Sequence, residues 1–236
     1  MNTAEDVKRA MQKVASAEKA KIAMRFFKTG EGQYGFGDQF IGIIVPQQRV
    51  ISRKFELNLK EMQKLLESPV HEHRLVALFI LIKNNKKLKD EKSKKEIFDF
   101  YLRNTQYINS WDLIDLSAEK IMGEFLIDKS SKEKEIIYKF AKSESVWERR
   151  IAMLTTFQFI KNKKFEDTFK IAEILMNDKH DLIHKAVGWM LREIGKRDQN
   201  AEEKFLMKHY KKMPRTMLRY AIEKFDQKKR EFYMRK

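Results

Sequence analysis

The sequence predicts an all-α protein built from a repeated pair of helices, on three observations. Helix breakers are scarce: 236 residues hold three prolines and eight glycines, and five of those glycines fall between Gly30 and Gly42. The remainder is almost free of residues that interrupt a helix. Apolar residues recur with a helical period along nearly the whole chain, with short connections between the periodic stretches. Small residues recur at long, similar intervals: Ala77, Ala118, Ala152, Gly188 and Ala221 are spaced by 41, 34, 36 and 33 positions.

Periodicity begins at Thr3, a residue suited to an N-cap. Asp6 stands three positions on, where a capping box carries Glu or Gln, so the box is imperfect. A negative charge there still suits the start of a helix. The pattern predicts a first helix running to about Ala20 and a second over 22–28. Thr29-Gly30-Glu31-Gly32-Gln33-Tyr34-Gly35-Phe36-Gly37-Asp38 follows as a glycine-rich loop. It follows no strand and lacks the GxGxxG and Walker spacings, so it is expected to be a mobile loop beside the working surface, not a nucleotide cradle. From Pro46 onward helices are predicted over 46–55, 57–68, 72–84, 93–104, 111–127, 132–143, 147–161, 165–177, 182–196, 201–212, 214–225 and 227–235. Pro46 and Pro214 suit first-turn positions, where proline loses no helical hydrogen bond.

Local sequence recurs with the small residues: Arg74-Leu75-Val76-Ala77, Arg149-Arg150-Ile151-Ala152, Lys185-Ala186-Val187-Gly188 and Leu218-Arg219-Tyr220-Ala221. Two-helix repeats of this length form the HEAT, armadillo and tetratricopeptide class. One small residue per repeat lets neighbouring helices approach closely. The prediction is an α-α superhelix (solenoid) of HEAT-like repeats whose basic concave face is lined by one helix of each pair. Because the period runs through most of the chain, residues 1–236 are expected to form a single HEAT-like repeat domain.

Lys and Arg outnumber Asp and Glu by 50 to 34, giving a net charge of +16 and a pI near 9.7. Such a surface favours nucleic acid, and less often anionic lipid. The runs Lys86-Lys87-Leu88-Lys89-Asp90-Glu91-Lys92-Ser93-Lys94-Lys95 and Lys228-Lys229-Arg230 read as solvated segments able to touch phosphates without reading sequence. The absence of cysteine excludes disulfides, Cys-ligated zinc, iron–sulfur clusters and thiol nucleophiles, and fits a reducing, cytoplasmic location. No apolar run approaches transmembrane length, and Met1-Asn2-Thr3-Ala4-Glu5-Asp6 lacks a signal-peptide pattern. His71-Glu72-His73 lacks the spacing of a helical zinc pair. Asp112 with Asp115 lacks the partner acids of a two-metal nuclease. No metal or cofactor is expected.

Three segments join aromatic and charged residues within helices. In Ser110-Trp111-Asp112-Leu113-Ile114-Asp115-Leu116, Trp111 and Asp115 lie four residues apart and share a helix face. Trp147-Glu148-Arg149-Arg150 opens another helix, and Gly188-Trp189-Met190-Leu191-Arg192-Glu193 lies inside a third. Each residue has a plainer reading: a Trp packed half into the core, Asp112 as a helix-terminal charge, Arg149 and Arg150 solvated or paired with Glu148. Recurrence argues for more, because Trp111, Arg149, Arg150 and Trp189 occupy successive second helices of adjacent predicted repeats. In a solenoid those positions line one face, giving a basic cleft with two large rings and one carboxylate.

With these segments in view, the chain resembles the bacterial DNA alkylation repair family of HEAT-like-repeat DNA glycosylases, the AlkD type. The matching segments are Phe26-Phe27-Lys28-Thr29-Gly30, Phe40-Ile41-Gly42-Ile43-Ile44-Val45-Pro46, Trp111-Asp112-Leu113-Ile114-Asp115-Leu116-Ser117, Glu148-Arg149-Arg150-Ile151-Ala152, Ala186-Val187-Gly188-Trp189-Met190-Leu191-Arg192-Glu193-Ile194-Gly195-Lys196 and Arg215-Thr216-Met217-Leu218-Arg219-Tyr220-Ala221. The resemblance implies excision of N3- and N7-alkylated purines from duplex DNA without metal or a covalent lysine intermediate. It places Trp111, Trp189 and Asp115 at the damaged nucleotide and Arg150 on the backbone; the cations Arg149, Lys185, Arg192 and Arg219 of the recurring helices are expected as further DNA contacts. The family's N-terminal aromatic falls on Phe26, Phe27 or Tyr34. The partner implied is duplex DNA carrying an alkylated purine, with no membrane and no obligate protein partner, and the chain is expected to be a monomer.

The implied chemistry is coherent. An N3- or N7-alkylated purine is already cationic and leaves readily, while cleavage builds oxocarbenium character that a carboxylate stabilises. Tryptophan faces attract cationic groups by roughly 0.5–2 kcal/mol each. The alternative function is a non-catalytic HEAT-like module that binds damaged or branched DNA. A protein-interaction scaffold is a third reading, which the charge disfavours.

Overall fold

Helix α1 (Ala4–Gln12) starts at Thr3, whose hydroxyl accepts from the Asp6 amide while the Asp6 carboxylate accepts from the Thr3 amide at 2.9 Å. The capping box is therefore complete, with Asp doing the work of the Glu that the pattern usually carries. In the computed structural model, which describes residues 2–235, every regular element is a helix, and the single β-contact among these residues is an isolated bridge between Gln39 and Val70. The helices divide into two compact units, residues 1–117 and 118–236; Met1 and Lys236, which the expected domain includes, lie outside the described residues.

In the first unit the expected long N-terminal helix is broken. Helix α2 (Ala17–Phe26) begins afresh at Ser16, whose hydroxyl caps the Lys19 amide. The Ser16 amide leaves the helix to donate to the Ile41 carbonyl at 2.8 Å. A contact with a segment 25 positions away thus overrides the local periodicity. The remaining elements are α3 (Val45–Lys54), α4 (Leu59–Leu66), α5 (His71–Lys87), α6 (Glu91–Arg103), a 3-10 turn at Thr105–Tyr107, and α7 (Trp111–Ala118). Helix α5 is the core of this unit: every residue from 71 to 82 is buried, the ionisable His71 to Arg74 at its start and then, from Leu75 to Ile82, a stretch apolar on all sides. Helices α3 and α4 pack on it, and α1 packs on both of them.

The second unit starts with a π turn, Glu119–Gly123, and α8 (Glu124–Leu126), followed by α9 (Ser131–Ala141) and α10 (Val146–Thr155). The single helix expected over 147–161 stops at Thr156 and resumes as α11 (Phe157–Lys161). Thr155 and Thr156 turn their hydroxyls back onto the carbonyls of Ile151 and Met153, both at 2.7 Å, a local competition that bends or ends helices. Then come α12 (Glu166–Leu175), α13 (Asp181–Gly195), α14 (Gln199–His209), α15 (Arg215–Ala221), a 3-10 turn at Ile222–Lys224, and α16 (Gln227–Met234). Helix α10 packs on α13, and α13 on α15. These helices carry the recurring Ala152, Gly188 and Ala221, all buried. A Cβ at Gly188 would lie 2.4 Å from the Met217 carbonyl oxygen and 2.5 Å from the Tyr220 Cβ. The small-residue repeat therefore marks real close approaches of successive helices.

Candidate nucleic-acid interface

Trp111 opens α7, and Asp115 stands one turn on; both are half-buried, while Leu113 and Ile114 between them are fully buried. The i, i+4 pair thus lies on the outer edge of a helix whose other face is core. The Trp111 ring stacks on Phe27 at 5.4 Å with 16° between planes, and Phe26 meets it edge-on at 5.8 Å. Phe26 is 62% exposed, so of the two phenylalanines it is the one with a surface to offer a ligand. Below Asp115, the buried Tyr101 hydroxyl pairs with Ser117 Oγ at 2.9 Å. Burial, and in smaller measure the charge of Asp115, pushes the Tyr101 phenol well above its ordinary range, so it stays neutral.

Beneath the rings lies an ionic cluster that the sequence did not single out. His71 is buried with both ring nitrogens on carboxylates: Nε2 to Asp112 Oδ2 at 2.8 Å and Nδ1 to Asp38 Oδ2 at 3.1 Å. Burial opposes its positive charge, but the charge and hydrogen bond of Asp112, with the bond to Asp38, outweigh it and raise the pKa to about 9. His71 is therefore an imidazolium at neutral pH, donating from both nitrogens. Arg74 Nη2 joins Asp38 at 2.7 Å, and the partners His71 and Arg74 hold the Asp38 pKa down against its burial. The imidazolium ring lies against Phe40 and Phe27, both 4.7 Å away. Asp112, expected to serve as a helix-terminal charge, spends one oxygen on His71, and its Oδ1 is buried without a partner.

The same helix end holds the loop that precedes α3. The Glu72 carboxylate accepts the amides of Ile41, Gly42 and Ile43 at 2.8–3.3 Å. Gly42 has φ +77°, and a Cβ there would meet the Ser16 carbonyl oxygen at 2.0 Å; only glycine fits. His71-Glu72-His73 is thus a structural anchor. A pocket of about 410 Å³ opens beside it, walled by Ile22, Phe26, Phe40, Ile44 and Leu75.

The other predicted site residues fall in the second unit. Trp189 is half-buried on α13; its Nε1 donates to Glu193 Oε1 at 3.3 Å and its ring lies 5.9 Å from Phe157. Arg150 is 5% exposed and donates from Nη1 to the Leu182 carbonyl at 2.6 Å. Arg149 pairs with Asp178 at 2.6 Å and with the carbonyls of Ser143 and Glu144, and not with Glu148, which accepts from the Ser143 hydroxyl. Arg192 is paired with Glu223, and Lys185 with Asp181 at 2.6 Å. Arg219 is exposed, its guanidinium 3.5 Å from the Thr216 hydroxyl. Of these cations, Lys185 and Arg219 reach furthest into solvent. Among the described residues no group of three or more His, Cys, Asp or Glu stands where it could hold a metal ion, and no helix is long and apolar enough to cross a membrane.

Comparison with known proteins places this geometry. A family model described as DNA alkylation repair enzyme matches residues 7–225. No significant match was found among curated proteins. Among solved structures, the chain resembles a predicted DNA alkylation repair enzyme from Enterococcus faecalis, with TM-score 0.70 and 18% identity over 90% of this chain and 97% of that one. It also resembles AlkD2 from Streptococcus mutans, with TM-score 0.54 and 19% identity over 94% and 98% of the two chains. The protein smu.31 from Streptococcus mutans UA159 matches with TM-score 0.55 and 18% identity over 95% and 100%. At these identities the likeness shows the fold alone, the all-α helical-repeat class that the sequence predicts.

Proposed function

Because the chain belongs to the DNA alkylation repair enzyme family, we propose that it is a monofunctional DNA glycosylase that hydrolyses the N-glycosidic bond of N3- and N7-alkylated purines in duplex DNA. The observation that carries this reading is the pairing of Trp111 and Asp115 on one half-buried edge of α7, with the exposed ring of Phe26 against Trp111. Binding phosphates alone needs cations, not an aromatic and a carboxylate held one turn apart.

The alkylated base carries a positive charge, so the C1′–N9 bond breaks with its electron pair passing into the purine, which leaves neutral. The sugar gains oxocarbenium character. The half-buried carboxylate of Asp115 stabilises that charge, and water adds to C1′ and loses its proton. Trp111 presents its face and edge to the cationic nucleotide, and Phe26 is the N-terminal aromatic that joins it. Trp189 offers a ring on the second unit. Lys185 and Arg219 contact phosphates, while Arg149, Arg150 and Arg192, each held by its own partner, contribute mainly to the positive field. No step calls on a metal or on an amine nucleophile.

Release of free 7-methylguanine and 3-methyladenine from methylated duplex DNA, followed by HPLC in the presence of EDTA, tests the proposal. Wild type is expected to release both. Asp115→Asn is expected to lose roughly 100-fold or more, the scale of removing one electrostatic stabiliser, with the fold retained. Full release by Asp115→Asn would remove that residue from the chemistry. No release by wild type, with salt-dependent binding intact, would leave a DNA-binding module without glycosylase activity.

A further inference from the structure

We propose that the glycine-rich loop is an aromatic wedge that enters the base stack of the duplex, with Phe36 as the inserted side chain. The proposal rests on duplex DNA being the ligand of this protein. It goes beyond the residues discussed above, because Phe36 lies outside the Trp111 cluster and has no part in the reaction.

Phe36 is 67% exposed, more than any other large hydrophobic side chain among the described residues. It is not a stray residue on a frayed segment. The backbone around it is folded back on itself: the Gly35 amide donates to the Lys28 carbonyl, the Phe36 amide to Gln33, and the Asp38 amide to Gly35, each at 3.1 Å. Beyond the tip, Asp38 is locked to Arg74 and His71, and Gln39 exchanges backbone bonds with Pro69 and His71. A loop this well tied, ending in a solvated phenyl ring, presents that ring in a fixed place.

The surroundings say what the ring meets. Eight of the eleven exposed large hydrophobic side chains among the described residues lie between Val14 and Val50, in the segment that also carries Lys19, Lys21, Arg25 and Lys28. A segment that combines cations with projecting apolar side chains has the composition of proteins that insert a wedge between base steps, where phosphate contacts offset the cost of unstacking. Lys28, with its ammonium 5.8 Å from the Tyr34 ring centre, sits at the loop's entry. A lipid surface or a protein partner would also meet an apolar patch, but the overall charge of +16 and the family's DNA substrate favour the duplex.

The experiment uses the full chain and a duplex that carries a stable abasic analogue, with 2-aminopurine at the neighbouring position. Wild type is expected to raise the 2-aminopurine fluorescence as the stack opens. Phe36→Ala is expected to abolish that rise and weaken binding about tenfold, within the range of losing one base–aromatic stack. Phe36→Trp is expected to retain both. The slope of log Kd against log salt should be the same for all three, because the phosphate contacts are untouched. Equal fluorescence and equal affinity for wild type and Phe36→Ala would overturn the wedge while leaving the glycosylase reading intact. A wild type that fails to bind the duplex at all would instead overturn the reading on which the wedge rests. Concentration-dependent dimers in sedimentation, lost in Phe36→Ala, would show that the loop covers a second copy of the chain and would also overturn it.

Discussion

Trp111 and Trp189 are both half-buried on helices, yet they are held in opposite ways. Trp111 is fixed by groups from elsewhere in its unit: it stacks on Phe27, which lies against Phe40 and the buried imidazolium of His71. His71 in turn binds Asp112, the residue next to Trp111. Trp189 is tied mainly by its own helix, through a hydrogen bond to Glu193 four residues on, whose carboxylate also takes Lys196 and Arg197. One ring is placed by tertiary contacts and backed by a charge cluster; the other is placed by local helix geometry. Positioning that depends on several elements is rigid and fails abruptly when one of them is lost. Positioning within one helix is more forgiving.

The largest expected effect tests the rigid side. His71→Gln removes the cation between Asp38 and Asp112 and leaves two part-buried carboxylates short of a partner, at a cost of about 3–5 kcal/mol. A fall in melting temperature of well over 5 °C is expected, with excision reduced at temperatures where the variant is still folded. The pH dependence carries the sign. Because folding raises the pKa of His71 from 6.5 to about 9, its contribution is complete below pH 6.5 and is lost as the pH climbs through 9. Wild-type stability should decline across that window, and the decline should vanish in His71→Gln. Thermal melts at pH 6, 7.5 and 9 check both, and an equal decline in the variant would show that other groups govern that range.

An intermediate effect tests the frame that carries Trp189. Gly188→Ala places a methyl group 2.4 Å from the Met217 carbonyl oxygen and forces α13 away from α15, costing about 1–3 kcal/mol by overpacking. Denaturant titration measures it, and an unchanged midpoint would mean the two helices separate freely. The smallest effect is expected from Glu193→Ala, which frees the Trp189 Nε1 and leaves Lys196 and Arg197 in partial contact with solvent. Excision should fall only severalfold, with stability lowered by about 1 kcal/mol. A loss as deep as that of His71→Gln would erase the contrast between the two tryptophans.

Much of the fold was legible because it is local. Helical periodicity located the elements from Pro46 onward to within a few residues, and the Trp111–Asp115 spacing correctly put both on one edge of a helix. The small residues announced the approach seen at Gly188. What was not legible is long-range. The break at Ser16 exists because its amide serves Ile41, and the His71 cluster joins Asp38 and Asp112, 33 and 41 residues away in the chain. Nothing in His71-Glu72-His73 itself says which partners it will meet. Arg149 likewise takes Asp178, 29 residues on, in preference to its neighbour Glu148. The one local hint was chemical: four ionisable residues in a row, His71 to Arg74, open the most deeply buried helix of the unit. Charges at such a place need partners.

The clamp that Glu72 places on Ile41, Gly42 and Ile43 has a consequence for how this scaffold can diversify. With the chain fixed there and at Asp38, and with the Thr29 amide on the Met24 carbonyl at the other end, the stretch that runs outward from Lys28 is closed at both ends by bonds that do not involve the Phe36 side chain. Lengthening a loop already closed is inexpensive, about 0.6 kcal/mol for a doubling. The segment between Lys28 and Asp38 is therefore an exchangeable cassette: its length and its outermost side chain can change without disturbing α5 or the ring that rests on it. Variation in the loop's outermost side chain can accumulate here while the cluster beneath stays constant.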